Sequence, residues 1–127
     1  MSSANGYLSA FIDDGLTCAG YIAAVDRLHP AVKFDYRPLT IAEQTAWGRD
    51  MNRRANEQYK ATADMLTRKL CGWDLVDAKG QPVTIAPEAL VRLKPRLFDR
   101  LLGIVSGSEA SDQDPAAETA APFRPGH

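Results

Sequence analysis

The stretch from Trp47 to Leu70 restricts the folding options of this chain more than any other. Trp47, Met51, Ala55, Tyr59, Ala63, Leu66 and Leu70 recur there at three- and four-residue spacing, which places them along one stripe of a helix. Thr40-Ile41-Ala42-Glu43 opens the stretch. The Thr40 hydroxyl can accept from the Glu43 amide while the Glu43 carboxylate returns to the Thr40 amide, satisfying two orphan donors. Arg49, Asp50, Arg53, Arg54, Glu57, Lys60, Asp64, Arg68 and Lys69 fill the intervening positions with mixed charge. With Gly72 as the residue past the helix end, the spacing predicts one long amphipathic helix running to about Cys71. A helix of ~30 residues is ~45 Å long, more than a small domain covers on one side, so it must kink, with Gly48 the natural place, or project.

On either side the periodicity changes to two. In CAGYIAAV (residues 18–25) and AVKFDYRP (31–38) apolar and polar groups partly alternate, with Val32, Phe34 and Tyr36 on one face. The connector DRLHP (26–30) carries Asp26 and Pro30, so an antiparallel hairpin is expected. A second hairpin is expected where Trp73 and Leu75 lead into DAKG (77–80) and Val83 and Ile85 return, with Pro82 marking the returning strand as an edge. Pro87 and Glu88 then suit a helix start, read over residues 87–93. Pro95 interrupts the next turn, after which Leu97, Leu101, Leu102 and Val105 resume an apolar face that Gly107 closes. The expected class is therefore α+β: a small, mostly helical domain with two short β-hairpins, one long amphipathic helix and a C-terminal pair of short helices.

Residues 1–10 carry Ser, Asn and Gly with little to bury and are read as a flexible N-terminus. Residues 108–127, rich in Ser, Ala, Asp, Glu and Pro with one aromatic, Phe123, are read as a disordered tail. That leaves residues 11–107 as a single domain, in keeping with 127 residues of which 45% are hydrophobic and 24% charged.

Fifteen Lys and Arg against sixteen Asp and Glu give a formal net charge of -1, so no overall basic field favours nucleic acid. Within GRDMNRR (48–54), Arg49, Arg53 and Arg54 could meet phosphates, but the neighbouring Asp50 and Glu57 make a solvated face the simpler reading. No apolar run reaches the length of a membrane span, and the N-terminus lacks a charged region followed by an apolar core. Two cysteines far apart, Cys18 and Cys71, read as buried thiols in a reducing compartment. His29 and His127 are the only histidines and offer no metal-ligand spacing, adjacent Asp13 and Asp14 before Gly15 read as a turn, and no glycine-rich phosphate loop follows a strand. The residues alone thus point to no catalytic group, no metal and no cofactor. The long helix, with Trp47, Met51 and Tyr59 larger than a thin domain needs, either packs the core or presents an apolar groove to another chain.

FIDDGLTCAGYIAA (11–24), HPAVKFDYRPLT (29–40), TRKLCGWDLVDAKGQPVTIAPEAL (67–90) and KPRLFDRLLGIVSG (94–107) form an ordered set. This set resembles the small tail assembly chaperone-like proteins of tailed phages and prophages. In them an FxYRPL-type extended segment precedes a helix, a VxWDLxDxxG-type hairpin follows, and a short helical pair closes the fold. The likeness covers about residues 11–112, and its motifs are structural. It implies a non-enzymatic role in the host cytoplasm: keeping the tape-measure protein soluble and helping to recruit tail-tube protein around it, with self-association left open. On that reading Trp47, Met51, Tyr59 and Leu66 form the partner-facing or core-defining stripe, supported by Trp73, Leu101 and Val105. The alternative is a structural virion protein, such as a minor tail or head-tail connector subunit. A third reading is a small regulatory protein that uses the three arginines on nucleic acid.

Overall fold

Val32–Tyr36 forms strand β2, and its alternation is visible in burial: Val32 and Phe34 face the interior while Lys33 and Asp35 are exposed. The computed structural model describes residues 17–51 and 55–115. Strand β1, Cys18–Ile22, pairs antiparallel with β2, Gly20 opposite Phe34 and Ile22 opposite Val32. The connector between them turns through Arg27, whose φ is 62°. His29 closes the turn, accepting from the Val25 amide at 3.0 Å. A Cβ at Gly20 would stand 2.3 Å from the Phe34 ring, so the ring lies directly on bare backbone there.

Helix α1, Ile41–Asp50, opens with the expected capping box: the Glu43 amide donates to Thr40 Oγ1 at 3.1 Å and the Thr40 amide to Glu43 Oε1 at 2.8 Å. The single long helix is not formed. Met51 caps α1, its amide reaching the carbonyls of Trp47 and Gly48, and a second helix, α2, runs from Ala55 to Lys69. The two lie antiparallel, since Lys69 meets Glu43, Thr62 meets Trp47 and Gln58 meets Met51. A continuous helix would spread one apolar stripe over ~45 Å. Folding it back lets Trp47 and the α2 side chains share one core.

The C-terminal limit of that helix also differs from the sequence reading. Leu70–Trp73 is strand β3, which adds to the free edge of β2 with Phe34 opposite Trp73 and a bulge between Asp35 and Tyr36. Gly72 is a strand residue. The last carbonyl of α2, on Lys69, accepts from the Arg37 amide at 2.8 Å. Among the described residues the sheet is three-stranded, in the order β1-β2-β3, and the fold is mixed α+β.

The second hairpin is reduced to a loop closed by one bridge, Val76 to Pro82. Proline has no amide to extend a ladder. The Asp77 carboxylate instead holds the turn by accepting from the amides of Lys79 and Gln81, and Gly80 takes a φ of 79°. Trp73 pairs through its backbone with β2 and spans to the returning segment by its indole, Nε1–H to the Val83 carbonyl at 2.7 Å.

Helix α3, Pro87–Leu90, begins at the expected proline but ends before residue 93. Pro95 starts rather than interrupts the next helix: α4, Pro95–Ser106, has Pro95 in its first turn and Gly107 at φ 86° as its left-handed cap. Leu66 of α2, Leu90 of α3 and Leu101 and Val105 of α4 are wholly or almost wholly buried with Ile22 and Val32 of the sheet.

Residues 108–114, expected to begin a disordered tail, run back along β1 and hydrogen-bond to it. Polar composition argued against their burial, but a free strand edge offers polar partners instead. The readings for residues 1–10, for Asp13 and Asp14, for Arg53 and Arg54, and for residues 116–127 with His127 fall outside the described residues.

Candidate functional site: an apolar groove between three helices

On the side of α2 near its start, an open groove of about 650 Å³ separates it from α3 and α4. Tyr59 and Ala63 of α2 form one wall, Pro87 and Val91 a second, and Leu93 and Phe98 the third, with Lys60 and Glu88 adding charge. Tyr59 remains 54% exposed and Val91 53%, although both are large and apolar. The Tyr59 ring stands edge-on to Phe98 with centroids 5.7 Å apart and planes at 63°, so Phe98, itself buried, fixes the orientation of the exposed ring. Val91 is exposed because α3 ends at Leu90, which turns inward while the next residue leaves the helix. Proline at the start of both α3 and α4 keeps the two walls short and separate.

The four residues expected to share one stripe are divided by the fold. Tyr59 lies in the groove. Leu66 is fully buried in the core. Trp47 and Met51 are half-buried between α1 and α2, where Trp47 Nε1–H donates to the Thr62 hydroxyl at 3.0 Å and the Met51 sulfur lies 3.8 Å from the same hydroxyl. Trp73 packs partly buried against the core, and Leu101 and Val105 are inside it. Sequence reasoning missed Val91, Leu93 and Phe98. The available signal was the pair Pro87 and Pro95, which bracket a segment too short to hide all of its apolar residues.

The remaining polar groups are dispersed. Cys71, expected to be buried, is an exposed free thiol on β3, because the strand turns it away from the core. Cys18 is half-buried beside Tyr36. The Tyr36 hydroxyl is pushed above its ordinary pKa, first by burial and then by Cys18. His29 is buried, its Nδ1 2.8 Å from the Pro30 carbonyl, and its Nε2 has no protein partner. It borders a smaller hollow of about 330 Å³ that also carries Asp77, Arg92 and Lys94. Among the described residues no group of three or more His, Cys, Asp or Glu could hold a metal ion. No described helix is long and apolar enough to cross a membrane. Arg49 is exposed on α1.

No protein-family model, curated protein or solved structure matches the chain.

Proposed function

We propose that this chain is a phage or prophage tail assembly chaperone, a non-catalytic protein of the host cytoplasm that shelters an apolar helical segment of the tape-measure protein and assists tail-tube assembly. One observation carries the reading: Tyr59 and Val91, on different elements, both expose apolar surface in one open groove of about 650 Å³, the kind of surface that takes the side chains of another helix. Partner binding is thereby assigned to Tyr59 with Val91, while Phe98 sets the Tyr59 ring from beneath and Trp47, Met51 and Leu66 hold the groove-bearing helix in place. The resemblance of the FDYRPL and WDLVDAKG segments to tail assembly chaperones supports the identity of the partner.

The test is co-expression with the tape-measure protein of the same phage genome. The soluble fraction of the tape-measure protein should rise, and the two chains should co-purify. Unchanged solubility without a complex would overturn the proposal. Mass spectrometry of finished particles separates an assembly factor, which should be missing, from a structural subunit present in fixed ratio.

A further inference from the structure

Among the described residues strand β1 is the outer edge of the sheet, and its own residues do not protect that edge. Its sequence, Cys18-Ala19-Gly20-Tyr21-Ile22, has no charge and no proline. The groups turned away from β2 at Tyr21, and the amide of Ala23 just past the strand, are instead met by Ser111 and Asp112. The Tyr21 amide donates to Ser111 Oγ at 2.7 Å, the Asp112 amide donates to the Tyr21 carbonyl at 2.8 Å, and the Ala23 amide donates to Asp112 Oδ2 at 2.8 Å. Only one of these three bonds is backbone to backbone. The segment therefore imitates a strand with its side chains and offers no new ladder of its own to a further strand.

A clasp on α4 holds the segment down. Arg100 is paired with Glu109, and its other nitrogen reaches Asp112 at 3.1 Å and the Ala110 carbonyl at 3.2 Å. The Glu109 amide donates to the Gly103 carbonyl at 2.9 Å, and the Glu109 side chain lies where a Cβ on Gly103 would be, its carboxyl carbon 2.5 Å away. Lys33 on β2 pairs with Asp114 at 3.5 Å. These contacts are polar and lie near the surface, so they are weaker than core packing and open at a cost well below global unfolding.

We propose that residues 108–114 are a detachable guard on β1, and that with the guard released two copies of this chain pair through their β1 strands. The register is self-complementary. Tyr21 presents both its amide and its carbonyl on the edge, and by the two-residue period Ala19 and Ala23 do the same. A two-fold axis at Tyr21 sets Ala19 opposite Ala23 of the partner subunit and gives a continuous antiparallel sheet across both copies. The uncharged edge makes a second β1 a better occupant than a charged strand, and the inference stands independently of the chaperone reading.

The test uses the full chain carrying S111A and D112A together, with R100Q as a second way of opening the clasp. Sedimentation over a concentration series should show each variant dimerising at least tenfold more tightly than the parent, with an unchanged far-UV circular dichroism spectrum. Hydrogen exchange at the Tyr21 and Ala23 amides should be faster than in the parent when the variant is dilute and slower when it is concentrated. Adding Ala19→Lys, which places a charge on the edge, should return the variant to a monomer. Three results would each overturn the proposal: faster exchange with no change in mass, a dimer that survives Ala19→Lys, or a parent dimer that the S111A and D112A changes dissociate, which would mean that the segment bridges copies.

Discussion

Trp47 and Thr62 lie fifteen residues apart, yet the indole Nε1–H donates to the Thr62 hydroxyl at 3.0 Å and so ties α1 to α2. Thr62 is only 3% exposed, which leaves that hydroxyl little access to water if its partner is lost. Trp47→Phe keeps most of the ring and removes the donor. It should cost about 1–2 kcal/mol, the usual effect of leaving a buried hydrogen-bonding group without its partner. Thr62→Val in the same chain should recover part of that loss, because both polar groups are then gone. Urea unfolding of the two single variants and the double variant measures the coupling, and strictly additive effects would show that the bond contributes nothing.

Gly20 and Phe34 give a second long-range check. The space a Cβ needs at Gly20 is filled by the Phe34 ring, with three ring atoms within 2.9 Å. Phe34 is itself 3% exposed and pinned in the core, so the ring cannot swing aside cheaply. Gly20→Ala should destabilise the fold by about 1–3 kcal/mol, as overpacking does. Phe34→Leu should relieve part of the clash while creating its own cavity, so the double variant should be less destabilised than the sum of the singles. Thermal unfolding followed by circular dichroism resolves changes of this size.

What could be read directly from the chain was local. The alternation of Val32 and Phe34 with Lys33 and Asp35, the Thr40 and Glu43 capping box, Pro87 as a helix start and Gly107 as a helix end all depend on neighbours within a few residues, and all are present. The failures were decided by distant partners. Leu70 fits the helical stripe as well as it fits a strand, and only the free edge of β2 settles the matter in favour of β3. The stripe continues in phase past Met51, so nothing in its period shows that Trp47 will meet Thr62. Residues 108–114 bury little apolar surface and on composition alone resemble a tail; their order comes from hydrogen bonds to Tyr21 and Ala23, nearly ninety residues away. In the candidate site, Tyr59 was legible as a large aromatic on the apolar stripe, either core-defining or partner-facing, whereas Val91 and Phe98 come from other elements and meet it only in three dimensions.

Acid should weaken the fold through two carboxylates. Glu43 is held below its ordinary value of 4.5, first by the hydrogen bond from Lys69 and then by the Thr40 amide. Asp112 is held below 3.8, first by the Ala23 amide and then by Arg100. A depressed carboxylate pKa means that the folded state favours the charged form. The resulting stabilisation is complete above the ordinary value and is lost as pH falls through the lowered one. Stability should therefore be level from neutral pH to about 5 with respect to these groups, then decline below about 4.5. Lys69→Met should flatten part of that decline and cost less than about 1 kcal/mol at neutral pH, because the Glu43 side chain is 40% exposed and solvent screens the pair. Denaturant midpoints measured across the acid range test both the direction and the window.

The groove separates a binding residue from a packing residue on adjoining walls. Tyr59 is 54% exposed and Phe98 4%, though their rings touch. Tyr59→Ser removes apolar surface that is already half in water, so it should shift stability by less than about 1 kcal/mol. Phe98→Ala empties a core position and should cost about 3–5 kcal/mol. If the groove holds a helix of the tape-measure protein, the ranking reverses for binding: Tyr59→Ser with Val91→Ser should abolish co-purification and the gain in solubility while leaving the unfolding midpoint almost unchanged. The same pair should also lower the fluorescence of an anilinonaphthalene dye added to the free chain, a readout that needs no partner. Normal capture of the tape-measure protein by this double variant would place the binding surface elsewhere, because Tyr59 and Val91 are large apolar groove residues left more than half exposed.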